Sequence, residues 1–173
     1  MTTPRMRWLR RLRLGMTATV IGVLLASVSI ESAYASPGWR WPVLGNPVIE
    51  RGFSPPAKKW LPGHRGVDVL SREGAPVLAA GPGTVAYAGQ LAGRGVVVVS
   101  HGTLRTTYEP LTPSVQVGQR VAGGSLIGWL STTGSHCSPQ ACLHWGLLRG
   151  QEYLNPLGLL RGPSRLLPVP RVR

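Results

Sequence analysis

The sequence has few of the features by which common protein classes are recognised. After residue 35 it contains no further long hydrophobic span, and no window of a dozen residues has the amphipathic period of an α-helix. Its 19 basic residues, against six acidic ones, come without a recognised nucleic-acid-reading motif or a basic helix. We therefore expect neither a multi-span membrane protein, nor an α-helical domain, nor a nucleic-acid-binding protein.

The first 35 residues are predicted to be a secretory signal. Five arginines precede an apolar run over 14–30, and the small residues Ala33 and Ala35 occupy the positions that a signal peptidase reads. Cleavage before Ser36 would give a secreted, cell-wall-associated protein. The apolar run is close to the roughly 20 residues that a spanning helix needs, so an uncleaved membrane anchor is the alternative.

Residues 36–173 are long enough for one domain and are strongly basic. Without the five arginines and one glutamate of residues 1–35, the net charge is still +9. Outside the cytoplasmic membrane such a surface attracts anionic partners, of which acidic cell-wall polymers are the nearest candidates. The arginines are scattered along the chain, so solvated surface charge without a partner is the alternative.

The chain has only two cysteines, Cys137 and Cys142. An exported protein lives where thiols are oxidised, so we predict one short disulfide between them. A pair of thiolate metal ligands is the competing interpretation. It is disfavoured because such pairs combine with partners elsewhere, and the chain has no second cysteine pair.

Short apolar runs separated by glycine and proline turns predict an all-β fold. We expect a β core over 48–160, an irregular entry arm over 36–62, and a loose, basic, proline-containing tail over 161–173. The predicted strands of the core cover residues 77–80, 84–88, 95–100, 105–108, 126–130 and 143–148.

Two distant segments carry candidate metal ligands. His64 and Asp68 share one face if the segment is extended, because residues i and i+4 of a strand point to the same side. His144 lies in a predicted strand further along the chain. Two histidines and an aspartate are ligands that a catalytic zinc site uses, with one position left open for water. The pattern predicts one Zn²⁺ if the segments meet, although His-x-x-x-Asp is also common without a metal.

Four segments stand in a fixed order between Val48 and Leu160. They are Gly63-His-Arg-Gly-Val-Asp-Val-Leu70, Gly74-Ala-Pro-Val-Leu-Ala-Ala-Gly-Pro-Gly-Thr-Val85, Val115-Gln-Val-Gly-Gln-Arg-Val-Ala-Gly-Gly124 and Leu143-His-Trp-Gly146. In order and spacing they resemble the motifs of the lysostaphin-type (LytM-type) zinc endopeptidases of bacterial cell walls. The resemblance implies an antiparallel β-sheet core of the duplicated hybrid motif type, with a groove over it.

The resemblance also implies a site and a substrate. By position in the motifs, His64, Asp68 and His144 would hold the zinc ion, and peptides of peptidoglycan would be the substrate. The sequence departs from the family at both proton-handling histidines: Cys142 stands in place of the first histidine of a His-x-His motif, and Pro110 in place of the histidine that follows Tyr-x. The presumed ligands are kept and the usual proton carriers are missing.

His136 is the candidate for a substitute base. A disulfide brings the Cα atoms of its cysteines within about 4.4–6.8 Å of each other. A bond between Cys137 and Cys142 would therefore hold His136 near the place of the missing histidine. General acid–base help is worth about 10²–10⁴ in rate. A solvent-exposed loop histidine without a role is the alternative.

Three further residues near these motifs, Tyr108, Trp145 and Glu109, could contribute to the substrate groove or the metal site. Tyr108 and Trp145 are candidates to line the substrate groove, although aromatic residues of β-proteins lie mostly in the core. Strand alternation points Glu109 away from Tyr108 and Pro110, so we expect it to be a poor candidate for the site.

Two functions follow from these patterns. The first is an exported zinc metalloendopeptidase that acts on peptidoglycan peptides, which the retained ligands favour. The second is a weakly active or inactive domain of the same fold that binds the cell wall or regulates another wall hydrolase, which the loss of both helper histidines favours. A structural zinc domain is disfavoured, since such sites usually close the shell with four protein ligands.

Overall fold

The computed structural model describes residues 38–160, which form an all-β structure of antiparallel strands, as the sequence predicts. The predicted signal segment over 1–35 and the basic tail over 161–173 lie outside these residues. Within the described range, no helix is long and apolar enough to cross a membrane. Each of the six strands predicted from sequence overlaps an observed strand.

Eleven strands and one short 3-10 helix make up this range. The strands are β1 (Val48–Arg51), β2 (Gly66–Ser71), β3 (Pro76–Leu78), β4 (Gly83–Leu91), β5 (Arg94–His101), β6 (Leu104–Glu109), β7 (Leu111–Pro113), β8 (Arg120–Val121), β9 (Leu126–Leu130), β10 (Ala141–Arg149) and β11 (Glu152–Leu154), and the 3-10 helix covers Pro156–Leu160.

The strands form two antiparallel sheets. In the larger sheet the order is β1-β2-β10-β6-β5-β4-β8, with β11 paired to the end of β10, and the smaller sheet has the order β3-β9-β7. The irregular arm expected over 36–62 overlaps the β core expected over 48–160, and β1, which lies in the overlap, is a regular strand that pairs with β2. Two tryptophans anchor the chain before β1. The ring centroid of Trp39 lies 4.7 Å from that of His101, and the ring centroid of Trp41 lies 6.1 Å from that of Trp145.

One row of side chains defines the core face of the larger sheet. Val67, Trp145, Tyr108 and Val97 are direct partners on β2, β10, β6 and β5, and all four are fully buried. Directly opposed residues of neighbouring strands point to the same face. The groove-lining role predicted for Tyr108 and Trp145 is therefore wrong, because both side chains lie in the hydrophobic core.

A chain of hydrogen bonds satisfies the Tyr108 hydroxyl in this core. Its oxygen accepts the Ala80 N–H at 2.8 Å and lies 2.8 Å from Oγ1 of Thr106, which is 2.7 Å from Nε2 of His101. Nδ1 of His101 lies 2.6 Å from the Pro82 carbonyl and must donate to it. Burial lowers the pKa of His101, which favours a neutral ring that accepts at Nε2. Burial raises the pKa of Tyr108 to about 12 and keeps it a phenol.

Removing this hydroxyl should destabilise the domain. Tyr108→Phe leaves the buried Ala80 N–H without its acceptor, so we expect the free energy of unfolding to fall by about 1–3 kcal/mol in urea titrations. The matched control is Tyr87→Phe, because the Tyr87 hydroxyl donates to the Gln90 carbonyl at an exposed hairpin. Its loss should lower the free energy of unfolding by about 1 kcal/mol or less. Equal losses in the two variants would contradict the role given to the buried chain.

Candidate metal centre

Strand pairing brings the two distant histidine segments together. β2 and β10 are neighbours, and Asp68 is the direct partner of His144, so both side chains lie on one face of the sheet. His64 precedes β2 and is fixed by two backbone hydrogen bonds with Ser54, of 3.0 and 2.7 Å. The residues predicted as metal ligands thus meet at one place, on the face opposite to the core row.

The donor atoms of these three residues converge. Nε2 of His64 lies 3.1 Å from Nδ1 of His144 and 3.0 Å from Oδ2 of Asp68, and Nδ1 of His144 lies 2.8 Å from Oδ1 of Asp68. Nδ1 of His64 lies 2.7 Å from the Gly52 carbonyl, which can only accept. That bond places the proton on Nδ1 and leaves the lone pair of Nε2 directed at the other ligands.

His136 joins the same cluster from a loop. Its Nε2 lies 2.7 Å from Oδ2 of Asp68, while its side chain is 47% exposed. The predicted disulfide is confirmed: Cys137 is bonded to Cys142, and their Cα atoms are 6.0 Å apart. Since Cys142 is two residues before His144 in β10, the bond ties the His136 loop to the strand that carries a ligand.

Asp68 is an ionised carboxylate inside the domain. Burial raises its pKa, but the hydrogen bonds and charges of His144 and His136 outweigh burial and lower the pKa to about 2. The carboxylate therefore keeps its negative charge throughout the neutral range. A buried negative charge beside imidazole nitrogens is a suitable environment for a cation.

The donor set fits a divalent cation that takes nitrogen and oxygen ligands, as Zn²⁺ does. The ligand atoms of His64, Asp68, His136 and His144 all lie within 4.8 Å of one another. The sulfur atoms of Cys137 and Cys142 lie near Asp68 and His136 but are bonded to each other, so they are not available as ligands.

Gly66 provides the space for the His144 ring, a role that the sequence motifs did not predict. It is the direct partner of Gly146, two residue pairs along from Asp68 and His144, and therefore on the same face of the sheet. A Cβ atom on Gly66 would lie 2.6 Å from Nε2 of His144 and 2.6 Å from the Trp145 carbonyl oxygen. A glycine two residues before the aspartate is the sequence signal that could have pointed to this contact.

Glu109 lies on the metal side of the sheet, contrary to expectation. It does point opposite to Tyr108, but Tyr108 points into the core, so the predicted alternation turns Glu109 toward the metal face. Its direct partner on β10 is His144, and Oε1 of Glu109 lies 3.1 Å from Nη2 of Arg94. The prediction that Glu109 is a poor candidate for the site is therefore wrong, because its side chain lies on the metal face of the sheet.

An open cavity of about 330 Å³ adjoins the cluster. Asp68 and His136 form part of its wall, together with Glu50, Arg51 and Gln140. A larger cavity of about 500 Å³ does not include the candidate ligands. Four basic side chains line this larger cavity: Lys58, Lys59, Arg65 and Arg149.

Residues 62–156 match the family model described as Peptidase family M23. The chain belongs to peptidase family M23. The matched range contains the whole cluster of candidate ligands, the disulfide and Glu109. The resemblance to lysostaphin-type endopeptidases that the motifs indicate is thereby confirmed.

Relatives and solved structures agree with this membership. An uncharacterized protein of Mycobacterium tuberculosis (strain ATCC 25618 / H37Rv) is 47% identical over 135 residues, which are 75% of this chain and 54% of that protein. This M23 chain thus spans about half the length of that relative. Lysostaphin from Staphylococcus simulans superposes with a TM-score of 0.57 at 25% identity, over 73% of this chain and 57% of that one. A zinc-containing peptidase from Vibrio cholerae superposes with a TM-score of 0.60 at 25% identity, over 73% of this chain and 40% of that one.

Replacing Gly66 should disturb metal binding without unfolding the domain. In Gly66→Ala the added methyl group meets both the His144 ring and the Trp145 carbonyl oxygen, so the ring and the local backbone of β10 must shift; we expect zinc affinity to fall about 10- to 100-fold, as for losses of groups that orient metal ligands. Competition with a chromophoric chelator measures the affinity, and circular dichroism checks the fold. Gly158→Ala is the control, because a Cβ atom there meets no atom within 4 Å. Wild-type affinity in a folded Gly66→Ala variant would contradict the assigned role.

Proposed function

We propose that this M23 chain is an exported zinc metalloendopeptidase that hydrolyses peptides of peptidoglycan. The observation that carries the proposal is the convergence of His64, Asp68 and His144 from segments 80 residues apart, with a further imidazole, that of His136, on the same carboxylate. Membership of a peptidase family and the likeness to a zinc-containing peptidase support the same reaction class. The arginine-rich, apolar leader supports export.

The three ligand residues have distinct tasks in this proposal. His64 offers Nε2, held in the correct tautomer by the Gly52 carbonyl, and His144 offers Nδ1. Asp68 supplies the negative charge that the cation requires. When bound, zinc polarises a carbonyl oxygen and lowers the pKa of a coordinated water. The open cavity beside the cluster gives a peptide access to these groups.

His136 is assigned the movement of protons. Peptide hydrolysis must deliver a proton to the leaving nitrogen, and the usual histidine is replaced by Cys142. The disulfide holds His136 at the cluster, with Nε2 2.7 Å from Asp68, while nearly half of its side chain is open to solvent. It is thus tethered near the reacting atoms and able to exchange protons with water.

Anionic wall polymers are proposed as a second class of partner. The cavity lined by Lys58, Lys59, Arg65 and Arg149 has one acidic wall residue, Glu152. A concentration of positive charge of this kind attracts phosphate and carboxylate groups. Contact there would keep the protein close to its substrate in a secreted, wall-associated location.

A second candidate function rests on a specific observation. The two positions at which the family resemblance implies proton-handling histidines hold Cys142, which is in a disulfide, and Pro110, which is buried. A domain that binds wall peptides or regulates another wall hydrolase needs no proton carrier. The position of His136 on Asp68 favours the enzyme instead.

Metal removal should abolish wall cleavage. We expect the oxidised protein over residues 36–173 to hold one zinc ion per chain by elemental analysis and to release soluble fragments from purified cell walls. A chelator should stop the release, added zinc should restore it, and His144→Ala should lose both zinc and activity. If zinc binds but release never exceeds that of His144→Ala, the peptidase proposal fails and the wall-binding function stands.

His136→Ala should separate metal binding from catalysis. We expect zinc content to stay at one ion per chain and the rate of fragment release to fall by about 10²–10⁴. Thr133→Ala, at an exposed position of the same loop, should leave both unchanged. An unaltered rate in His136→Ala would rule out the substitute base, and loss of zinc in that variant would show that His136 is a ligand.

A further inference from the structure

A row of polar side chains crosses the metal face of the larger sheet. Asp68, His144 and Glu109 are direct partners on the neighbouring strands β2, β10 and β6, so all three point to the same side. The Cβ atoms of such partners lie about 4.5–5.5 Å apart. Along this row the Cβ atom of Glu109 is therefore about as far from that of His144 as the Cβ atom of Asp68 is, on the opposite side of β10.

The Glu109 carboxylate is held by one oxygen. Its Oε1 lies 3.1 Å from Nη2 of Arg94, the first residue of β5, and within residues 38–160 no protein group forms a hydrogen bond with Oε2. The Glu109 side chain is 19% exposed and that of Arg94 is 33% exposed, so the ion pair borders solvent. Arg94 thus fixes the carboxylate in place and leaves its second oxygen as a free acceptor.

The loop that carries His136 also reaches this ion pair. A Cβ atom on Gly134 would lie 2.7 Å from Cβ of Arg94, which shows that the loop packs directly against Arg94. Two residues later, His136 contacts Asp68. The same loop therefore contacts Arg94, the ion-pair partner of Glu109, and Asp68, and Glu109 is itself the strand partner of the cluster residue His144.

From this geometry we infer that Glu109 is a substrate-contacting residue, whose free oxygen accepts a hydrogen bond from a positively charged amino group of the bound peptide. The inference rests on the proposed function. A carboxylate offers acceptors only, so its complement is a donor, and a charged amine is the strongest. The segment Tyr108-Glu-Pro110 stands where the family resemblance implies Tyr-x-His, and Glu109 is its member that faces the metal side, because Tyr108 and Pro110 are buried.

The test measures the contribution of one amine to binding. The probes are two synthetic pentapeptides of the peptidoglycan stem type, each acetylated at its N-terminus and amidated at its C-terminus. One carries a lysine with a free side-chain amine, and in the other that amine is acetylated. Calorimetry on the zinc-free protein avoids hydrolysis during the titration.

We expect the wild-type protein to bind the free-amine peptide about 10- to 100-fold more tightly than the acetylated one, as for a hydrogen bond between charged groups. Glu109→Gln should bring the two affinities together, and Glu109→Asp, which keeps the charge but shortens the reach, should give an intermediate preference. Glu73→Gln neutralises an exposed acidic side chain between β2 and β3, outside both cavities, and the amide oxygen can still accept the hydrogen bond from the Thr132 hydroxyl, so this variant should keep the full preference.

Two results would overturn the inference: a wild-type protein without preference for the amine, or a wild-type preference in a Glu109→Gln variant that unfolds cooperatively in urea. Failure of the proposed function is a different outcome, because it is read from the zinc dependence of wall cleavage. A non-hydrolytic wall binder can still prefer the amine, and an active peptidase can lack this preference.

Discussion

The pairing of Asp68 with His144 across β2 and β10 is the constraint on which the rest of the structure depends. A shift of either strand by one residue would turn its side chains to the opposite face of the sheet. The same register therefore fixes the fully buried partners Val67 and Trp145 on one face and the cluster of imidazoles and carboxylate on the other. Core packing and ligand geometry are two results of one set of backbone hydrogen bonds.

Within that register, small residues and fixed loops complete the cluster. Gly66 leaves room for the ring of His144, and the Gly52 carbonyl sets the tautomer of His64. The disulfide brings His136 to Asp68 from outside the sheet. A buried carboxylate surrounded by three imidazoles is stable because it keeps its charge and its hydrogen bonds together, and the same arrangement gives a cation several donors at once.

The sequence predicted those parts of the structure that depend on period and motif. Hydrophobic alternation and turn residues predicted the positions of the long strands, and motif spacing predicted His64, Asp68 and His144 as ligands. The sequence-based prediction failed where it had to decide which face of a strand points into the core. Tyr108 and Glu109 are adjacent, and alternation places them on opposite faces without saying which is the core; the neighbours Trp145 and Val97 decide that, and they come from other strands. The short strands β8 and β11 carry too few residues for a period to show.

The bond between Cys137 and Cys142 gives the cluster a dependence on its surroundings. Two ligand candidates, Asp68 and His144, are secured by the sheet itself, whereas His136 is kept in place by a covalent link that glutathione-rich compartments do not preserve. A newly made chain in a reducing cytosol would carry His136 on an untethered loop. The complete set of side chains around Asp68 would then assemble only where the two thiols can oxidise, so the geometry of the cluster depends on the redox state of the surroundings.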